Sequence, residues 1–217
     1  MSPQILSSLE AQSALDPLLF LAELSDRVAN EYSHAIASIS FAAIMTQDED
    51  AKAALDAAVG RLRRYAVAHR AHRAPHAQGA VDLSAYLKTL CRALVRSRLE
   101  ELGVNITLVE APAWLEAKRC WRVGLIVSEL ISNAVRRAYP GVGGHIRVEV
   151  AVLADTVKCR VSDDGQGPSD AAPGAGTAFV EAMAADLGGF IERRSCELGS
   201  SVLLFFPAHV PVGARNW

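Results

Sequence analysis

Two long stretches of helical period, separated by only a few residues, constrain the first third of this chain more than any other feature does. Pro17 suits a first helical turn, and Asp16 in front of it suits a cap. From there Leu21, Leu24, Val28, Ala35, Ile39 and Ala42 recur at helical spacing with polar and charged residues between them, which predicts a helix from Pro17 to about Met45. Thr46, Gln47, Asp48 and Glu49 read as a turn with a cap into a second helix. Leu55, Val59, Leu62 and Ala66 form its apolar stripe, and it ends near Arg73, ahead of Pro75. Amphipathic helices joined by so short a turn form an antiparallel hairpin. Such a hairpin cannot bury its own seams. They must be covered by a second copy, giving a four-helix bundle in a homodimer, or by the rest of the same chain.

The stretch PHAQGAVD, beginning at Pro75, is the expected boundary, dividing the chain into a helical domain over 1–76 and a second domain over 77–217. Beyond it, helical patterns over 83–101, 118–137 and 177–187 alternate with strand patterns over 104–109, 146–152, 157–161 and 201–206. Gly188 and Gly189 end the last helix. Helices mixed with mostly antiparallel strands predict an α+β fold, an α/β sandwich behind the hairpin.

Composition narrows the function classes. With 22 Lys and Arg against 24 Asp and Glu, the net charge is −2, and no basic excess points to nucleic acid. No apolar run approaches the ~20 residues that span a bilayer, and the first residues lack the pattern of a signal peptide, so a cytoplasmic protein without a membrane segment is expected. Cys91, Cys120, Cys159 and Cys196 form no C-x-x-C pair and read as reduced thiols.

Two segments carry chemistry. In SELISNAVRRAYP, Glu129 and Asn133 stand four apart on a helix and therefore share a face. A carboxylate beside a carboxamide can hold a hydrated magnesium ion next to phosphates, although such a pair is also an ordinary solvated face. In VSDDGQG, an apolar strand runs into Asp163, with Gly165 and Gly167 following at alternate positions. The glycines let backbone approach a ligand, and the aspartate can accept a hydrogen bond from an exocyclic amine such as that of adenine. A plain strand-ending turn has the same composition.

The order of these segments, followed by Gly174 and Gly176 at the opening of a helix, resembles the adenosine-nucleotide-binding fold shared by histidine kinases, heat-shock chaperones, gyrase and mismatch-repair ATPases. ELISNA resembles the N box, DDGQG the first glycine box, GAGTAFVEAMAADLGG the second, and GSSVLLFFP the closing segment. ELSDRVAN, beginning at Glu23, is similar to the phosphoacceptor box E-(I/L)-x-H-R-V-K-N of a histidine kinase subgroup with a variant dimerisation domain, and RLRRYAVAHR to its second helix. The resemblance implies ATP with magnesium as ligands, Asn133, Asp163, Gly165, Gly167, Gly174 and Gly176 as nucleotide contacts, and Glu129 and Asn133 at the metal. It also implies Glu129 in catalysis, a homodimer, and a response regulator or another kinase as partner.

The pattern fails at one position. Asp26 stands where the subgroup has its acceptor histidine. A carboxylate is not a neutral imidazole nucleophile, and it would bring negative charge toward a triphosphate, so autophosphorylation is put in question. His34 lies eight residues on, ~80° around the helix and ~12 Å along it, and does not replace Asp26 by slippage. The lid between Gly167 and Gly174 reads Pro-Ser-Asp-Ala-Ala-Pro, with no cation and with Asp170 of the wrong sign, leaving Arg136 and Arg137 to meet phosphate charge, although the two read equally as a solvated basic turn. His69, His72 and His76 have a spacing that suits either a zinc site or a polar helix end. Three functions follow: a histidine-kinase-type transferase, a non-catalytic dimeric adaptor or phosphotransfer protein docking a response regulator, and an anti-sigma-type serine kinase, which the long hairpin disfavours.

Overall fold

The computed structural model describes residues 17–73, 79–138, 143–165, 175–196 and 199–208. The chain divides into two compact units, Met1–Arg73 and Ala74–Trp217.

The first unit is the hairpin. Helix α1 spans Pro17–Met45 and α2 spans Glu49–Ala71. The turn works through Asp48, whose carboxylate accepts from the backbone N–H groups of Asp50 (2.9 Å) and Ala51 (3.2 Å), capping α2. Ala43, Val59, Ala66 and Ala68 are buried, whereas Leu24, Val28, Phe41, Ile44, Met45 and Val67 are exposed. Phe41 and Ile44 keep 65% and 77% of their surface, so much apolar area on the hairpin is left for another partner.

The second unit begins with β1 (Ala80–Asp82) and α3 (Leu83–Leu94), which continues into a π-helical turn over Val95–Leu99. Then come β2 (Val104–Val109), β3 (Trp114–Glu116), α4 (Ala117–Ala138), β4 (Gly144–Leu153) and β5 (Thr156–Asp163). Helix α5 (Ala175–Asp186) and strands β6 (Phe190–Cys196) and β7 (Gly199–Pro207) complete the order. Five strands form one sheet, ordered β2-β4-β5-β7-β6, parallel between β2 and β4 and antiparallel elsewhere, while β1 and β3 pair separately. Strand β6 and the two three-residue strands are absent from the sequence expectation, and the helix expected over 83–101 is split by the π turn.

Period-two alternation assigns the faces. Val104, Ile146, Val148, Val150, Val157, Cys159, Val161, Leu204 and Phe206 are buried toward the helices. Helix α4 brings Val123, Ile126, Val127, Leu130 and Ile131 into the same core. At its start Arg119, only 7% exposed, donates from Nη2 to the carbonyls of Leu187 (3.3 Å) and Pro207 (2.6 Å) and lies over the Phe206 ring. That one guanidinium ties α4 to the end of α5 and the end of β7. Among the described residues no helix is long and apolar enough to cross a membrane.

Candidate functional site

With Ile126, Val127, Leu130, Ile131 and Ala134 of α4 packed inward, Glu129, Asn133 and Arg136 fall on a less buried stripe three and four residues apart. Arg136 Nη2 donates to Asn133 Oδ1 and lies 3.4 Å from Glu129 Oε1. The acid, the amide and the cation therefore form one cluster. The Arg137 side chain lies outside the described residues.

Helix α5 reaches the same cluster. A methyl group built on Gly176, in its first turn, would fall on Oε1 of Glu129. The absence of a side chain there is what lets α5 and α4 approach, which α4 and α5 do along their contact. Gly176, Glu129 and Asn133 are thus brought together. Gly167 and Gly174, with the lid residues 168–173 between them, lie outside the described residues.

Asp163 ends β5. Strand alternation puts it in phase with Val157, Cys159 and Val161, on the face that the helices cover. Its carboxylate accepts from the Gly165 N–H at 3.2 Å. Burial raises the Asp163 carboxyl above its ordinary range, with the N–H groups of Gly165 and Ser200 pulling it back and the neighbouring Asp164 pushing it up. Asp164 plays a different part, because its Oδ1 accepts from the His145 N–H at 2.8 Å and fastens the corner to β4. Of two adjacent aspartates, one anchors the turn and the other faces the helical layer.

The corner needs a glycine that sequence reasoning did not single out. Gly199 opens β7 with φ +130°, and a methyl group there would collide with the Asp163 carbonyl. Its signal was available, since Gly199 starts the segment GSSVLLFFP. Chain connectivity sets the two clusters at one end of the unit. Helix α4 ends at Ala138, β4 starts at Gly144, and β4 residue Ile146 pairs with Asp163.

Asp26, which the sequence resemblance sets at the acceptor position, lies in the first unit. Asp26 is on the exposed side of α1, its side chain 55% accessible, and it is ion-paired with Arg73 at 2.5 Å. Beside it, His69 Nε2 sits 2.7 Å from the Ser25 carbonyl and 3.1 Å from the Ser25 hydroxyl, and its ring meets Tyr32. His72 Nδ1 contacts the Ala68 carbonyl at 2.7 Å. Both imidazoles engage the hairpin backbone, His76 lies outside the described residues, and His34 is exposed on α1. No group of three metal-ligating side chains occurs among the described residues. The Leu21 side chain also lies outside them.

The carboxylate and carboxamide of Glu129 and Asn133 are oxygen donors of the type magnesium takes, and the exposed Arg136 guanidinium that contacts one oxygen of each leaves the donor set fitting the ion.

Comparison with known proteins bears on the fold that carries this cluster. The family model described as "Histidine kinase-like ATPase domain" matches residues 51–190. The histidine kinase domain of the blue-light activated histidine kinase of Erythrobacter litoralis EL346 superposes with a TM-score of 0.56 at 18% identity, covering 82% of this chain and 96% of that one. A longer structure of that kinase gives 0.54 at 17% identity, covering 85% and 60%. The Acinetobacter baumannii histidine kinase AdeS gives 0.50 at 17% identity, covering 86% and 96%. At these identities the likeness shows the fold alone. No curated protein matches the chain. With the family model spanning well over half its length, the chain belongs to the histidine kinase-like ATPase domain family.

Proposed function

We propose that this chain is a cytoplasmic two-component signalling protein that binds ATP in its second unit, dimerises through its hairpin and docks a response regulator. The contact of Gly176 with Glu129, one helical turn from Asn133, is the single observation that carries the nucleotide reading. It joins segments far apart in sequence into an acid-and-amide site where a helix begins, and the N-terminus of α5 adds backbone N–H groups suited to phosphate. Asp163 would accept from the exocyclic amine of the purine.

The hairpin supports dimerisation. Phe41, Ile44 and Met45 are exposed near its turn, and a groove of about 450 Å³ runs past Ala43, Ile44, Val59 and Gly60. A second hairpin would cover both.

The Asp26–Arg73 pair favours the adaptor reading over autophosphorylation. The acceptor position holds a carboxylate with its own counter-cation, and the side chain at position 26 itself has no nitrogen nucleophile to offer. The deciding experiments are a calorimetric titration with ATP and incubation with γ-labelled ATP. Saturable ATP binding without acid-labile label supports a nucleotide-binding adaptor. Acid-labile label on a histidine of the unaltered protein would establish the transferase instead, and absence of ATP binding would remove the nucleotide reading altogether. If only the nucleophile is missing, Asp26→His should acquire acid-labile label.

A further inference from the structure

We propose that the free edge of β2, together with the groove between it and α3, docks an extended acidic segment of a partner protein, which adds to the sheet as a further strand. Neither the nucleotide reading nor the hairpin interface is needed for it.

Strand β2 ends the sheet, since its single neighbour is β4. The Gly103 carbonyl accepts from the Gly144 N–H at 3.2 Å, which sets the phase of the parallel ladder. Asn105, Thr107 and Val109 therefore turn their backbone groups toward β4, and Ile106 and Leu108 turn theirs away from it. Among the described residues no partner meets those outward groups. The strand reads Val-Asn-Ile-Thr-Leu-Val, without the proline or lysine that commonly blunts an edge, and so is a template for another strand.

Beside that edge lies a groove of about 330 Å³, within the range of ligand pockets. Its floor is apolar, with Cys91 and Val95 on the helical side and Ile106 and Leu108 on the strand. Ile106 and Leu108 share a face with the buried Val104 yet are only half-buried, because the helical layer stops short of the edge.

Charge selects the occupant. Lys88, Arg92 and Arg96 line the same groove four residues apart, on one helical face. Lys88 is taken by Glu110 at 2.7 Å. Arg92 and Arg96 are exposed and hold no carboxylate among the described residues. Like charges one turn apart destabilise a helix, and an acidic partner removes that cost. A segment with apolar side chains over Ile106 and Leu108 and carboxylates beside the two guanidinium groups satisfies edge, floor and rim together. A second copy pairing through β2 fits less well, since it brings the same two arginines and a strand without an acid.

The test uses the full chain and a fluorescein-labelled peptide of valine and glutamate, matched to the 6 residues of β2. Two control peptides carry lysine for glutamate or an N-methylated backbone. Anisotropy at constant ionic strength should show saturable binding of the acidic peptide and about tenfold or weaker binding of both controls. The double variant Arg92→Glu, Arg96→Glu changes only exposed side chains; it should lose about tenfold or more for the acidic peptide and gain the lysine peptide. Hydrogen exchange at the Ile106 and Leu108 amides should slow when the acidic peptide binds. Equal binding of the N-methylated peptide reduces the contact to charge and overturns strand addition. An unchanged affinity in the double variant, or no saturable binding of the acidic peptide, overturns the site. If those two amides are already protected without peptide, or the double variant loses self-association, the chain itself fills the edge and the acidic partner is overturned.

Discussion

Gly176→Ala separates the site from the fold. The added methyl group would land on Glu129 Oε1, the tip of a flexible side chain with about a quarter of its surface accessible, so the carboxylate can move aside without displacing backbone. Two small terms then oppose each other in stability. Replacing glycine in a helix gains roughly 0.5–1 kcal/mol, and loosening the exposed Glu129–Arg136 contact costs about 0–1 kcal/mol. The unfolding free energy should therefore stay within about 1 kcal/mol of the parent. Binding has no such compensation. The displaced carboxylate carries Arg136 off Asn133, and the methyl group intrudes where α5 and α4 meet. A loss of about 1–2 kcal/mol, roughly 5- to 30-fold in the Kd for ATP, is expected. Urea denaturation and calorimetric titration of the same preparation read the two quantities. Unchanged ATP affinity with unchanged stability would refute the idea that the Gly176–Glu129 contact belongs to a nucleotide site. A stability loss well beyond 1 kcal/mol would refute the account of Glu129 as the yielding partner.

Asp163→Asn should raise the thermal midpoint at pH 7 while weakening ATP binding about tenfold or more. Burial raises the native carboxyl, so its contribution to stability is complete below the ordinary carboxylate value of ~4 and is lost as pH rises through the folded-state value; the gain from the amide should accordingly vanish by about pH 3 in melting curves. Arg119→Met should cost roughly 2–4 kcal/mol in urea denaturation, because it strips both the Leu187 and Pro207 carbonyls of their buried donor. Ile44→Lys should convert the proposed dimer to monomer in sedimentation velocity, and a dimer that survives the substitution would refute the hairpin interface.

The legible and illegible parts of this fold differ for physical reasons. The hairpin is readable because 29- and 23-residue helices repeat their apolar period many times, and Asp48 is a cap residue in the right place. Strand β6, Phe-Ile-Glu-Arg-Arg-Ser-Cys, escapes a sequence reading because charge obscures its alternation. Arg193, on the helical face in register with Val202, is paired there with Glu181 of α5 at 2.8 Å, while Arg194 pairs with Glu192 of its own strand. An edge strand tolerates such charge, and periodicity alone does not see it. Strands β1 and β3 have three residues each and carry no period to detect. The π turn after Leu94 continues the helical pattern of α3, so a sequence reading joins the two. At the site, i,i+4 spacing is enough by itself to place Glu129 and Asn133 on one face. Their contact with Gly176 depends on how α5 packs against α4, which local sequence does not encode.

The two units bear differently on function. In the second, two positions keep constraints that ordinary packing does not require: a helix opening that excludes a side chain over Glu129, and an aspartate left facing the helical layer after its neighbour has taken the anchoring role. In the hairpin, Asp26 is matched by Arg73, a cation at contact distance from its carboxylate. An arginine in that place would disfavour the imidazolium form of a histidine at position 26, whereas it suits a carboxylate. The pair is a charged clasp between α1 and the end of α2.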